Sequence, residues 1–213
     1  MLPPVEEFAR SMAALGLSDD ATIVVYEQEG VFSAPRAWWM LRTFGARSVY
    51  VLDGGLRAWI AVGLPTESGE VRRARAKFNA KLDRDAVNYY AGIQEMIAER
   101  GQILDARSAG RFAGRSPEPR AGISSGHMPG AINLPFAGLA EDGRLKPVEA
   151  LREIFTSKGV NLEQPVTTTC GSGVTAAVLA LGLQIVGAKN VRLYDGSWAE
   201  YAQKPGAVIE KSS

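Results

Sequence analysis

Two stretches of this chain match each other closely enough to constrain its architecture. The first is Gly45-Ala46-Arg47-Ser48-Val49-Tyr50-Val51-Leu52-Asp53-Gly54-Gly55-Leu56-Arg57-Ala58-Trp59. The second is Gly187-Ala188-Lys189-Asn190-Val191-Arg192-Leu193-Tyr194-Asp195-Gly196-Ser197-Trp198-Ala199-Glu200-Tyr201. Each is a β-rich run that closes on Asp-Gly and leads into a helix-forming run. Upstream of each lie a strand, a loop and a helix in the same order. Such self-similarity reads as a tandem duplication of one structural unit. Strands alternating with helices call for parallel sheets covered by helices. The expected fold class is α/β, with two similar domains, each a parallel sheet flanked by helices, the first of them incomplete.

The expected boundaries are a partial first domain over 1–65, a charged linker over 66–85 and a second domain over 86–203. A polar tail over 204–213 completes the chain. The first copy has no counterpart to the segments around Asp105 and His127 that precede the second copy's central strand. The sequence therefore reads as opening inside its first copy. A parallel strand is normally covered on both faces, and Ile23-Val24-Val25-Tyr26 without its neighbours exposes an apolar edge. The expectation is that the first copy docks on the second, or that a second copy of the chain covers the gap in a homo-oligomer.

Periodicity and punctuation place the elements. A helix is expected over 5–16, with Phe8, Met12 and Leu15 on one face. A buried strand follows over 21–26. Next come a helix over 34–44, with Trp38 and Trp39 as domain-interface packing, a strand over 48–52 and a helix over 56–62. The second half reads as a helix over 86–100, strands over 102–106 and 131–134, and a helix over 147–159 opening on a proline. It continues with a strand over 166–169, a helix to about Val186 (boundaries of this kind are soft), a strand over 190–194 and a short helix.

The chemistry concentrates at Cys170, the single cysteine of the chain. It lies between the strand Val166–Thr169 and a helix, followed by Gly171-Ser172-Gly173. Backbone N–H groups at a helix N-terminus favour negative charge, and glycines let the loop curl. A thiol held there is expected to have a lowered pKa and to be reactive. The ordinary alternative is a small buried hydrophobe; the strand–Cys–Gly-x-Gly–helix setting favours reactivity.

Other chemistries are poorly served. The formal net charge of +1 gives no argument for nucleic acid or a membrane surface. One Cys and one His leave neither a disulfide framework nor a conventional zinc cluster. No cofactor is expected. No apolar run approaches a membrane span, and the first residues do not read as a signal peptide, so a reducing, cytoplasmic setting is expected. A cysteine phosphatase needs an arginine six residues after its cysteine, where this chain has Ala176. A papain-like protease needs a His and an orienting group near the thiol, and a thioredoxin-like role needs a second cysteine.

Several motifs in a common order carry a resemblance. They are Cys-Gly-Ser-Gly-Val-Thr (170–175), Asp-Ala-Arg (105–107), Gly-Arg-Phe (110–112), Pro-Glu-Pro-Arg (117–120), Gly-His-Met-Pro-Gly-Ala (126–131) and Tyr-Asp-Gly-Ser-Trp (194–198). Together they resemble the tandem-domain rhodanese family, from Pro3 to about Gln203. The resemblance implies a pair of rhodanese domains with the C-terminal one catalytic and Cys170 as nucleophile. It implies Arg111 and Arg120 as holders of a substrate carboxylate and carbonyl, and Gly171, Gly173, Val174 and Thr175 as the loop that cradles sulfur and anion.

The loop is similar to that of members acting on 3-mercaptopyruvate, which carry Gly-Ser where thiosulfate enzymes carry two cations. The implied reaction passes sulfur from a small-molecule donor through a cysteine persulfide to a thiol acceptor, such as a thioredoxin-like protein, or to cyanide. In such relatives Ser172 joins a His/Asp relay from the first domain, whose front has no counterpart here. The alternatives are thiosulfate sulfurtransferase activity, and a weakly active or inactive fragment serving as a binding module. Of the remaining residues, Arg107 reads as structural, bridging to an acidic group. Asp105 reads as a loop anchor, His127 as structural, and Asp53 and Asp195 as turn formers.

Overall fold

The computed structural model describes residues 1–212. Its centre is a five-stranded, all-parallel sheet. The strands are β3 (Val87–Asn88), β4 (Gln102–Asp105), β5 (Ile132–Asn133), β8 (Val166–Thr169) and β9 (Val191–Tyr194), in the order β3-β9-β8-β4-β5. The middle strand β8 is buried at all four residues, as expected of a strand covered on both faces. Register is in step across the centre: Leu104 pairs with Thr168, and Thr168 with Leu193. The carboxyl ends of β4, β8 and β9 therefore finish side by side, at Asp105, Thr169 and Tyr194.

Helices α4 (Tyr90–Ala98), α5 (Ala109–Phe112), α6 (Val148–Ser157), α7 (Ala176–Ile185) and α8 (Ser197–Tyr201) complete this part. Helix α7 is apolar almost all round, and Ala176 through Leu183 are all buried. A helix of that kind has to be enclosed. One side of α7 lies on the central sheet and α6, and another receives α2 (Ala34–Thr43) from the N-terminal part. Trp38 and Trp39 of α2 are both buried, and Trp38 lines a cleft shared with Leu181 and Gln184 of α7.

The N-terminal part consists of α1 (Val5–Ala14), β1 (Thr22–Val25), α2, β2 (Ser48–Val51) and α3 (Gly55–Ala61). Strands β1 and β2 form a separate two-stranded parallel sheet. Ile23 and Val49 point into the core, together with Phe8, Phe44 and Phe78. Phe8 stacks on Phe44 with ring centroids 4.1 Å apart. The two parts share one continuous apolar core. A small antiparallel hairpin, β6 (Ala140–Glu141) and β7 (Arg144–Leu145), reaches back to the N-terminal part. There the backbone N–H of Leu145 donates to Asp53 Oδ1 at 2.9 Å.

Several expectations need correction. Strand β1 is not buried throughout: Val24 is 52% exposed and Tyr26, just beyond it, 59%. Tyr50, on the same face of β2, is also 59% exposed. Val24 and Tyr26 line an open cleft with Leu56 and Trp59 of α3 and with Pro65, which leaves this face half-covered. In α1, Phe8 is buried but Leu15 is 60% exposed, because the helix ends at Ala14 and Leu15 falls on its C-cap. The helix read over 86–100 starts only at Tyr90, since Val87 and Asn88 form the edge strand β3. The hairpin β6–β7 leaves no pattern in the sequence, its two-residue strands being too short for a period to show.

The end of the chain is less detached than its polar composition implies. Glu210 and His127 exchange backbone hydrogen bonds at 2.9 and 2.8 Å. Asp53 and Asp195 are more than turn formers, since each carboxylate bonds a distant segment. Among the described residues no helix is long and apolar enough to cross a membrane.

Candidate active site

In open parallel sheets, ligands bind beyond the carboxyl ends of the strands. Here a cavity of about 320 Å³ occupies that position. Cys170, 2% exposed, lies at its base at the end of β8. The first turn of α8 fastens the loop that follows. Trp198 N–H donates to the Cys170 carbonyl at 2.9 Å, and Ala199 N–H to the Gly171 carbonyl at 3.0 Å. With these carbonyls tied back, the loop amides are left to face the cavity. Gly173 N–H points at Cys170 Sγ, 3.1 Å away, and Gly173 holds φ +81°, a left-handed conformation that favours glycine. The N–H groups of Gly171, Ser172, Val174 and Thr175 have no acceptor among the described residues, and all four residues line the cavity. Unengaged N–H groups arranged in this way at the start of a helix can hold an anion.

Ser197 is a site residue the sequence reading did not single out. Its backbone is left-handed, at φ 52°, and its hydroxyl spans two segments. Ser197 Oγ donates to the Tyr194 carbonyl at 2.8 Å and accepts from Cys170 N–H at 3.4 Å. A signal for it was present. In the internal match the residue opposite Ser197 is Gly55, which is also left-handed at φ 61°.

The wall of the cavity is a chain of alternating charges. Arg107 is fully buried. Its guanidinium takes Asp105 on one side, its Nη1 takes Glu118 Oε1 at 2.7 Å, and its Nη2 reaches the Gly126 carbonyl at 2.7 Å. The same guanidinium lies over the Trp198 ring, 4.2 Å from the centroid. A buried charge is tolerated only when paired in this way. Glu118 is shared: its Oε2 accepts from Arg111 Nε at 3.1 Å and from Nη2 of the same residue.

Arg111 therefore presents to the cavity a cation already partly balanced by Glu118, whereas Arg120 is exposed and has no ion-pair partner among the described residues. Both line the same cavity as Cys170. Arg111 also occupies the space beside Gly171, where a Cβ would fall 2.7 Å from its Nη2.

The N-terminal part closes one side with Phe32, whose ring meets Phe136 edge-on at 5.6 Å. Ser172 is exposed at the rim, and its hydroxyl has no hydrogen-bond partner among the described residues. His127 lies away from the cavity. Its ring stacks on Phe112, Nδ1 bonds the Phe112 carbonyl at 2.9 Å, and Nε2 sits 3.7 Å from Glu210.

The fold and the loop define the class of protein. The rhodanese-like domain family matches over residues 2–62 and 90–204, and the chain belongs to that family. Human 3-mercaptopyruvate sulfurtransferase is 45% identical over 217 residues, covering 99% of this chain and 73% of that one. Thiosulfate sulfurtransferase of Cricetulus griseus is also 45% identical, covering 94% of this chain and 69% of the relative. Among solved structures, the 3-mercaptopyruvate sulfotransferase SseA of Escherichia coli superposes with a TM-score of 0.84 at 43% identity. That superposition covers 93% of this chain and 74% of the other.

Proposed function

We propose that this chain is a sulfurtransferase that takes sulfur from 3-mercaptopyruvate onto Cys170 and passes it to a thiol or to cyanide, with release of pyruvate. The observation that carries the reading is the buried Cys170 sulfur beneath a ring of unengaged loop N–H groups, in one cavity with Arg111 and Arg120. The thiolate attacks the donor sulfur. The carbon–sulfur bond breaks, and its electron pair leaves with the carbon as pyruvate enolate. The enolate takes up a proton to give pyruvate, and the new persulfide loses one. The loop amides stabilise the anionic persulfide, as preorganised donors stabilise developing charge elsewhere. An acceptor thiolate, for which a small thioredoxin-like protein is suited, then attacks the outer sulfur and frees Cys170.

Charge favours this donor over thiosulfate. Arg111 and Arg120 together with Glu118 leave about one net cation for the ligand, which matches a single carboxylate, and planar Arg–carboxylate pairing suits it. Neither Gly171 nor Ser172 adds a second cation for a dianion. The division of labour follows: the C-terminal part carries the chemistry, and the N-terminal part is a non-catalytic partial domain that supplies a wall. We place the reaction in a reducing, cytoplasmic setting, where Cys170 stays a thiol.

The test is the intact mass of the protein after incubation with 3-mercaptopyruvate, followed beside pyruvate release, for wild type and Cys170→Ser. One added sulfur atom on the wild type alone, with pyruvate formed, is the expected result. Absence of both defeats the reading and leaves a binding module. A faster reaction with thiosulfate would reverse the donor preference.

A further inference from the structure

The N-terminal part does more than wall the cavity. Arg36 of α2 crosses to the C-terminal part, where its side chain is 12% exposed. Its Nη2 donates to Asp195 Oδ1 at 2.6 Å, and its Nη1 donates to the carbonyl of Gly173 at 3.3 Å. The guanidinium carbon lies over the Trp39 ring, 4.6 Å from its centroid. Asp195, itself 8% exposed at the side chain, also accepts the backbone N–H of Leu2 at 2.6 Å. Gly173 is wedged between these groups. A Cβ on it would fall 2.9 Å from Arg36 Nη1 and 3.2 Å from the Asp195 carbonyl.

We infer that Arg36 is a positioning residue for the cysteine loop, acting from the N-terminal part through the Gly173 carbonyl. The inference rests on the sulfurtransferase reading above and names a further residue for that reaction. Gly173 is the residue whose N–H meets Cys170 Sγ. A peptide unit is planar and trans, so its carbonyl and the following N–H point in opposite directions. Fixing the Gly173 carbonyl on Arg36 turns the Val174 N–H to the far side, and Val174 lines the cavity. One guanidinium therefore sets the tilt of the Gly173–Val174 peptide, the unit directly after the N–H that meets the sulfur. The planar fork is what permits this, because its two terminal nitrogens reach the carboxylate and the carbonyl at once. A lysine ammonium is a single point and can keep only one of them in that geometry. Asp195 orients the fork and balances its charge.

Arg36→Lys is the discriminating variant, since it keeps the cation that pairs with Asp195 and gives up the second nitrogen. Single-turnover pyruvate release from 3-mercaptopyruvate, steady-state kcat and KM, and the thermal midpoint are measured on the folded, monodisperse fraction. The expected result is a persulfide-forming rate and kcat lower by tenfold or more, KM within about twofold and a midpoint within a few degrees of wild type.

A second variant, Arg36→Ala, leaves a space the size of the guanidinium. Millimolar guanidinium added to it is expected to recover part of the rate, and an equal concentration of sodium chloride is not. Wild-type rates in Arg36→Lys overturn the proposal. So does a loss in Arg36→Lys or Arg36→Ala that follows the folded fraction alone and is not rescued. A wild type that forms no persulfide defeats the sulfurtransferase reading instead, so the two failures are distinguishable.

Discussion

Glu27 governs the loop that brings the N-terminal part to the cavity, and replacing it by glutamine isolates what its charge does. The N-cap residue Ser33 makes no side-chain cap bond to α2. The Glu27 carboxylate takes that place from six positions upstream. It accepts the N–H groups of Phe32 at 2.7 Å, Ser33 at 3.0 Å and Ala34 at 3.1 Å, and the Ser33 hydroxyl at 3.1 Å. An anion there also faces the positive end of the helix. Glutamine offers one acceptor oxygen where Glu27 has two, and turns an NH2 group toward donors. Because the site is partly exposed, water replaces some of what is lost. The cost is that of a missing helix cap, about 1–2 kcal/mol.

For a chain of this length each kcal/mol is worth roughly 2–4 °C, so Glu27→Gln is expected to melt about 2–8 °C below wild type near neutral pH. The pH dependence is a sharper check. Burial pushes the Glu27 carboxyl up, but the N–H groups of Phe32, Ser33 and Ala34 together outweigh it and hold it below its ordinary value of 4.5. A folded pKa below the unfolded one gives stability that is present above 4.5 and is lost as pH falls through the folded value. The gap in thermal midpoint between wild type and variant should thus be full at about pH 7 and narrow as the pH is taken down below 4.5 toward the folded value. A gap that stays constant down the acid range, or none at neutral pH, refutes the reasoning. Phe32 loses its anchor in the variant, so KM for the donor should rise by more than kcat falls.

Two further substitutions probe the loop itself. Gly171→Ala places a Cβ 2.7 Å from Arg111 Nη2, and the guanidinium, the far end of a flexible side chain, is expected to swing aside at the expense of its bonds to Glu118. Initial-rate kinetics should show a several-fold higher KM for a carboxylate donor with a thermal midpoint close to wild type, and an unchanged KM would contradict the placement of Arg111 at the ligand. Ser197 sets backbone strain against two hydrogen bonds. Ser197→Gly loses the bonds but relieves the left-handed residue by about 1 kcal/mol, whereas Ser197→Ala loses the bonds and keeps the strain. Denaturant titration should therefore rank Ser197→Gly above Ser197→Ala, and the reverse order would show that the backbone there is unstrained.

Much of this architecture is legible in the chain because it rests on local pattern. The β-branched run Val166–Thr169 between a proline and Cys170 reads as an enclosed strand, and all four residues are buried. The internal match predicts like strand pairing in both halves, and β1–β2 and β8–β9 are both parallel. The loop from Cys170 to Thr175 is equally local: a cysteine, two glycines and a helix start lie within a few residues, so the ring of backbone N–H groups around the sulfur is written in sequence order.

What the sequence could not decide depends on residues far apart in the chain. Asp195 reads as a turn former until Arg36 arrives from 159 positions away. Asp53 reads the same way until the hairpin reaches it from 92 positions away. Arg111 and Arg120 are equivalent on paper, and only the placement of Glu118 between Arg107 and Arg111 makes one a shared cation and the other a free one. Strand β3 was hidden because two residues carry no period, and its identity comes entirely from pairing with β9. Burial period, turn residues and helix ends act over a few residues and can be read from the chain directly. Charge pairing and the orientation of the cysteine loop depend on which surfaces the packed sheet and helices bring together, and tertiary structure alone specifies that.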